Sequence, residues 1–252
     1  NAILNGVDLS GKDLSLSNFR YADFDDTNLE NANLEAAEFM IADLTKIKNK
    51  SLVNADLTYS AFSYSNLSGI NLAGTTLYRN NFHNSNLSGL DFTDINNKHL
   101  IGSIFVRADL SNSNFEGINF LDDTRYEISF SGKAHLMNEI VSGGELGYYN
   151  QAVNESGYPN KFVLDKNIDG NDLLLTVIFI NNFAGANLQN VNFSNANLSF
   201  SILSANLANA NFSNADLTGS NFQNANLAGA VFDGAILDDA ILDCKNHPIC
   251  TN

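Results

Sequence analysis

Large apolar residues fall on every fifth position of the chain. Leu9, Leu14, Phe19, Phe24, Leu29, Leu34, Phe39 and Leu44 form a first run. After a three-residue slip the beat resumes at Leu52 and continues through Leu57, Phe62, Leu67, Leu72, Leu77, Phe82, Leu87 and Phe92. A second slip leads to Leu100, Phe105, Leu110, Phe115 and Phe120. Late in the chain the spacing joins Ile168, Leu173, Ile178, Phe183, Leu188, Phe193, Leu198 and Leu203, and one four-residue step opens a last run from Leu207 to Leu242. Two positions before these residues a small side chain recurs, as at Ala32, Ala42, Ala108, Ala186 and Ala225, and Asn or Asp commonly stands between.

Five is neither the helical period nor the strand period. On an α-helix, residues five apart lie about 140° apart around the axis, which scatters the ladder over every face. In a flat strand an odd period alternates the ladder between the two faces. Both conflicts vanish if the chain turns a corner every five residues, with the Leu or Phe always inward and the small residue packed beside it. Ser, Asn, Asp and Gly at the remaining positions suit such corners.

Units such as Ala32-Asn33-Leu34, Ala42-Asp43-Leu44, Ala215-Asp216-Leu217 and Ala225-Asn226-Leu227 resemble the pentapeptide-repeat family, whose pattern is A(D/N)LXX. The resemblance implies an all-β fold: a right-handed quadrilateral β-helix in which four units make one coil and coils stack. About 39 units give about ten coils, a stack on the order of 45–50 Å at the ~4.8 Å strand spacing. Residues twenty apart are then expected on one face, with Asp23 above or below Asp43.

The organisation expected is an N-terminal solenoid part over 1–120, a non-repeat insertion over 121–167, a C-terminal solenoid part over 168–243 and a cysteine-containing cap over 244–252. Two smaller breaks, Lys46-Ile47-Lys48-Asn49-Lys50 and Asn96-Asn97-Lys98-His99, read as corner loops. In the insertion, Lys133 to Val141 followed by Gly143-Gly144 predicts a short helix with a glycine stop. Tyr126, Phe130, Tyr148, Tyr149 and Tyr158 gather in the same segment. Long excursions from compact domains are commonly functional and tyrosine is favoured in recognition surfaces, so these five residues are candidate partner contacts. Because the beat resumes with the same residue logic, one continuous tower with a side excursion is expected.

Twenty-eight acidic against 13 basic residues give a net charge of -15. Nucleic acid is therefore not an expected ligand, since phosphate recognition needs Lys and Arg to displace counterions. No run of 18 or more apolar residues occurs, so no membrane insertion is expected. Acidic residues crowd the first coils, where Asp23, Asp25, Asp26, Glu30, Glu35 and Asp43 form a candidate acidic face. Some members of the pentapeptide-repeat family mimic duplex DNA and occupy DNA gyrase, and by resemblance this chain has that as its alternative role. In that group paired rods meet through an apolar C-terminal cap; here the end is polar, so a monomer or weak dimer is expected.

The two cysteines, Cys244 and Cys250, are expected to form a disulfide that staples the tail over the open end of the core, which suits an oxidising compartment. A Cys-His-Cys metal site through His247 is the alternative for the same residues. The four histidines are scattered and no phosphate loop or nucleophile elbow is present. The expectation is a non-enzymatic protein without cofactor, structural or protein-binding, with an unknown protein partner. A bacterial protein of the periplasm or extracellular space is expected, with the cytoplasm as alternative. The chain opens on Asn1 without methionine, which fits removal of a leader or trimming of the terminus.

Overall fold

The structure, a computed structural model, describes residues 2–121, 126–130, 160–166, 173–179 and 181–251. The chain divides into two compact units, Asn1–Leu121 with Asn181–Asn252, and Asp122–Ile180.

The first unit is the coil stack. In each five-residue step the carbonyl of the inward residue accepts the N–H three residues on, as from Val7 to Leu4 (2.9 Å), and the residue between them has positive φ, as at Gly6 (φ 68°). This is the type II turn, which favours Gly or Asn at its third position. The Asn or Asp ahead of the inward residue accepts the N–H two residues later, as Asp13 Oδ1 does from Ser15 (3.1 Å), and so holds each corner shut. Asn also donates to the coil next to it: Asn33 Nδ2 reaches Asp13 Oδ1 and Asn192 Nδ2 reaches Asn114 Oδ1, both at 3.0 Å.

Four columns of parallel bridges run along the stack. Column 1 holds Ile3–Asp23 and then, from Asp43, runs through Asn66, Asn86 and Asp109 to Lys245; column 2 starts at Asp8–Asn28 and ends at Val231. Column 3 starts at Asp13–Asn33–Asp56–Thr76 and ends at Ile236. Between Thr76 and His99 it is carried by a parallel pair of two-residue strands, β1 (Leu77–Tyr78) and β2 (Leu100–Ile101). Column 4 runs unbroken from Asn18 through Glu38, Ala61, Asn81, Ile104, Asn182, Ile202 and Asn221 to Ile241.

Inward residues make the core. Phenylalanines stack along column 4, where Phe39, Phe62, Phe82, Phe105 and Phe183 follow each other at 5.0, 5.2, 5.2 and 4.8 Å between ring centroids. A second stack follows column 2, with Phe92, Phe115, Phe193, Phe212 and Phe232 at 4.3, 5.2, 5.5 and 4.9 Å. The small position beside them is Ala, or Ser whose hydroxyl returns to a backbone carbonyl, as Ser60 does to Leu34 and Ser113 to Leu87. Burial of that hydroxyl is thereby compensated.

The slips have local causes. The first is a pair of 3-10 turns, Leu44–Lys46 and Lys48–Lys50, and the second is the 3-10 turn Asn96–Lys98. At the four-residue step, Ala205 N–H bonds Leu203 O (2.7 Å), a corner one residue tighter. These slips correct the twenty-residue rule. Neighbours are 20 apart at Asp13 and Asn33, 23 at Asn31 and Asn54, 78 at Asp109 and Asn187, and 19 at Asn190 and Asn209.

A further correction concerns residues 168–180. The five-residue spacing through Leu173 and Ile178 does not belong to the coils: strand β5 (Leu173–Phe179) is the centre of an antiparallel sheet in the second unit, flanked by β3 (Tyr126–Phe130) and β4 (Asn160–Lys166). The reason is visible in Leu173-Leu174-Leu175-Thr176-Val177-Ile178-Phe179. A coil needs polar corner residues between its inward positions; between Leu173 and Ile178 this run has only the β-branched Thr176, and it is a plain strand sequence. The coils resume at Asn181 and Asn182. The helix expected at Lys133 to Val141 lies outside the described residues.

The coil stack closes on itself across the interruption. Phe183 packs on Phe120 (5.6 Å) and on Phe105, and Asn181 Nδ2 bonds the carbonyl of Phe120 while its Oδ1 accepts from Ser103 N–H (2.9 Å). Removal of residues 123–180 would leave five steps from Phe120 to Phe183, the native repeat. That deletion is expected to retain the coil stack, with a cooperative thermal transition within a few degrees of the full chain by circular dichroism. A non-cooperative melt would show that the coils depend on the second unit.

Candidate functional site

Ten large apolar side chains are strongly exposed among the described residues. Five lie at the two ends of the stack: Ile3 and Val7 in the first coil, Val231, Ile236 and Ile241 in the last. The other five are Leu16 (81% exposed), Tyr21, Ile41, Tyr59 and Tyr64 (56% exposed). Each occupies the positive-φ corner position, with φ of 59°, 58°, 61°, 60° and 62°. Asn or Gly takes that position at most other corners, because bulky and β-branched side chains are strained there.

The five flank one face. Leu16 and Tyr59 stand on the corner entering face 4, the face built on column 4; Tyr21, Ile41 and Tyr64 stand in successive coils on the corner leaving it. Tyr59 meets Tyr78 edge-on at 5.7 Å, Tyr64 meets His83 edge-on at 5.8 Å, and Arg79 lies over the Tyr78 ring at 4.9 Å. Leu16, Ala36, Ser15 and Glu35 line a shallow depression of about 150 Å³. Across the face, Arg20 Nε pairs with Glu38 Oε2 at 2.7 Å. Phe200 shows the contrast. It shares this backbone conformation, but its ring covers Gly219 so closely that a Cβ there would come within 2.6 Å. Phe200 is packed, whereas the five are presented to solvent.

Behind the entering corner runs a buried polar column that the sequence did not suggest. Ser60, Asn80, Ser103, Asn181, Ser201 and Ser220 fill small-residue positions where the repeat usually has Ala. Asn80 Nδ2 bonds Leu57 O, and its N–H bonds Ser103 Oγ (3.2 Å). The column ties neighbouring coils together from the coil of Tyr59 toward the C-terminal end of the stack.

The predicted acidic face is spread by the fold. Asp23, Asp25 and Asp43 belong to face 1, Asp26 to the corner between faces 1 and 2, Glu30 to face 2 and Glu35 to face 3. Faces 1 and 3 flank face 4, so acid borders the apolar strip on both sides, with Asp13 and Asp56 also on face 3. The Ser15 hydroxyl and N–H hold the Asp13 carboxyl below its ordinary value, and Ser10 does the same for Asp8. At Asp216 burial acts to raise the carboxyl, but the Thr218 hydroxyl and N–H outweigh it and the net direction is down.

Of the predicted partner contacts, Tyr126 and Phe130 are the end residues of β3, while Tyr148, Tyr149 and Tyr158 lie outside the described residues. Cys244 and Cys250 are joined as a disulfide with Cα atoms 5.0 Å apart, and Ile249, Cys250 and the His247 ring beside Phe232 (5.2 Å) lie over the last coil. That bond engages both thiols, so the Cys-His-Cys metal alternative falls. Among the described residues no group of three or more His, Cys, Asp or Glu could hold a metal ion, and no helix is long and apolar enough to cross a membrane.

Comparison with known families supports the repeat assignment. The profile for pentapeptide repeats (8 copies) matches residues 1–35, 55–94, 90–120, 182–204 and 205–243. The chain belongs to the pentapeptide-repeat family. The matched segments stop at 120 and resume at 182, where the coils stop and resume. Among solved structures, the chain is similar to HetL, a pentapeptide repeat protein involved in heterocyst differentiation regulation from the cyanobacterium Nostoc sp. strain PCC 7120 (21% identity, TM-score 0.34, covering 96% of this chain and 88% of that one). It is similar also to QnrB1, a plasmid-mediated fluoroquinolone resistance protein (14% identity, TM-score 0.32, 95% and 78%). A third is the pentapeptide repeat protein Rfr23 from the cyanobacterium Cyanothece 51142 (16% identity, TM-score 0.26, 80% and 90%). No curated protein matches the chain.

Proposed function

We propose that this pentapeptide-repeat protein works by contact and not by catalysis, as an exported protein-interaction module whose coils form a right-handed quadrilateral β-helix. The observation that carries the reading is the set of five large apolar side chains on strained corners around face 4. An exposed apolar patch on an otherwise polar surface marks an interaction site, and strained backbone persists where function retains it. The insertion, with its aromatic residues, is a second contact element in this reading. Export draws its support from the Cys244–Cys250 disulfide; protein isolated from its native source without reductant should then show no free thiol.

A photo-crosslinking amino acid in place of Tyr21 or Tyr64 tests the contact surface, with Asn54, on the corner between faces 2 and 3, as control. The same protein adduct from Tyr21 and Tyr64, and none from Asn54, is the expected result. An adduct from all three positions, or from none, overturns the assignment.

The alternative, mimicry of duplex DNA toward gyrase, draws on the net charge of -15. It has less support, because the acidic residues of the first coils divide among three faces and a corner. Inhibition or protection in a gyrase supercoiling assay at micromolar protein is the outcome that would favour it.

A further inference from the structure

The chemistry around the strip narrows the partner. Face 4 and its two corners carry Leu16, Tyr21, Ile41, Tyr59 and Tyr64, while Asp23 and Asp43 line one side and Asp13, Glu35 and Asp56 the other. On the face itself, the charge of Arg20 is already matched by Glu38, and the remaining cation of the entering corner, Arg79, lies over the Tyr78 ring at the far end of the strip. The lysine cluster of the same coils, Lys46, Lys48 and Lys50, sits on the corner between faces 1 and 2, with face 1 between it and the strip.

We infer that face 4 in the N-terminal coils docks a cationic amphipathic segment of a protein partner. Its apolar side chains lie along the corner residues, and its Lys or Arg side chains reach out to the carboxylates on faces 1 and 3. The inference rests on reading the strip as a contact surface. Three other occupants would meet like charge. Anionic lipid headgroups and nucleic-acid phosphates are repelled by the bordering carboxylates, and a second copy of this chain brings the same acidic border and another net charge of -15. Long cationic side chains suit the site because their methylene stems cover apolar surface while their heads reach charge at its edge. From Leu16 to the level of Tyr78 the strip spans four coils, roughly 15 Å at ~4.8 Å per coil. That length accommodates about ten residues of helix at ~1.5 Å each.

The experiment measures fluorescence anisotropy of three labelled synthetic peptides of about 14 residues with the full chain: an amphipathic Leu/Lys peptide, its Leu/Glu counterpart and a Ser/Lys peptide without apolar residues. The Leu/Lys peptide is expected to bind at least tenfold more tightly than the other two. Its affinity should fall several-fold when salt rises from about 0.05 to 0.3 M, and also in D23N/E35Q. Affinity should fall at least tenfold in L16N/Y21N/Y64N, whose Asn residues suit the corner backbone and keep the coils folded. Equal binding of the Leu/Glu peptide overturns the partner chemistry and leaves the contact surface standing. Unchanged binding of the Leu/Lys peptide by L16N/Y21N/Y64N overturns both. Concentration-dependent dimerisation in sedimentation analysis that this variant abolishes assigns the strip to a second copy, and overturns the inference on that ground.

Discussion

Phe105→Ala is expected to destabilise the coil stack by about 3–5 kcal/mol, the cost of truncating a buried phenylalanine. Phe105 is fully buried, with its ring near-parallel to Phe82 on one side and Phe183 on the other, and edge-on to Phe115. In a solenoid each coil contacts only its neighbours, so nothing else in the core can collapse into the gap. Phe105 is also the link between coils formed before the insertion and coils formed after it. Its loss should therefore separate the unfolding of the two halves as well as lower the midpoint. Urea unfolding followed by circular dichroism measures both effects, with Phe19→Ala, near the open end of the stack, as the milder comparison. A loss below about 1 kcal/mol at Phe105 would mean that the stack tolerates a missing layer and that the nearest-neighbour description fails.

The second large effect has the opposite sign. Replacing Leu16, Tyr21, Ile41, Tyr59 and Tyr64 together by Asn is expected to raise stability, by roughly 0.5–1 kcal/mol at each site, because Asn occupies the left-handed region with little strain. The largest gain belongs to Ile41, whose β-branched side chain fits that backbone worst. Gains at Tyr59 and Tyr64 are offset by the edge-on contacts with Tyr78 and His83, worth about 0.5–1.5 kcal/mol each. With those two sites near neutral, the net gain of about 1.5–3 kcal/mol comes from Leu16, Tyr21 and Ile41, and at roughly 2–4 °C per kcal/mol for a fold of this size the combined variant should melt about 3–12 °C higher. A melting temperature equal to or below that of the parent would show that these residues stabilise the coils, and would remove the argument that they are kept for contact. Stability and partner binding thus move in opposite directions in the same five substitutions, which no purely structural role of these residues predicts.

The inward ladder was legible in the sequence because the core requirement repeats with the same residue types at every step. The disulfide pair was legible because only two cysteines exist and both lie at the end of the last run. Leu173 and Ile178 keep the five-residue spacing but lack the polar corners that a coil needs, with only Thr176 polar between them, so the spacing there marks a strand. The strip was partly legible: Leu16, Tyr21, Ile41, Tyr59 and Tyr64 all stand two places after an inward residue, where Asn and Gly are usual. That signal becomes apparent only once the position is known to have positive φ. The buried Ser and Asn column behind it was hidden because Ser and Asn also populate the exposed corners.

By itself the sequence determined that the chain coils and which side chains turn inward, since a period of five is compatible with neither helix nor flat strand and leaves one solution. Only the tertiary structure decided which outward residues share a face. The hydrogen-bond register between coils sets that, and each slip changes the count: Ile41 lies one coil from Tyr21 at twenty residues, Tyr64 one coil from Ile41 at twenty-three, and Asn187 beside Asp109 at seventy-eight. Side chains become neighbours through the bonds of the coils that carry them, so the acidic border and the apolar strip are properties of the stack and not of any stretch of chain.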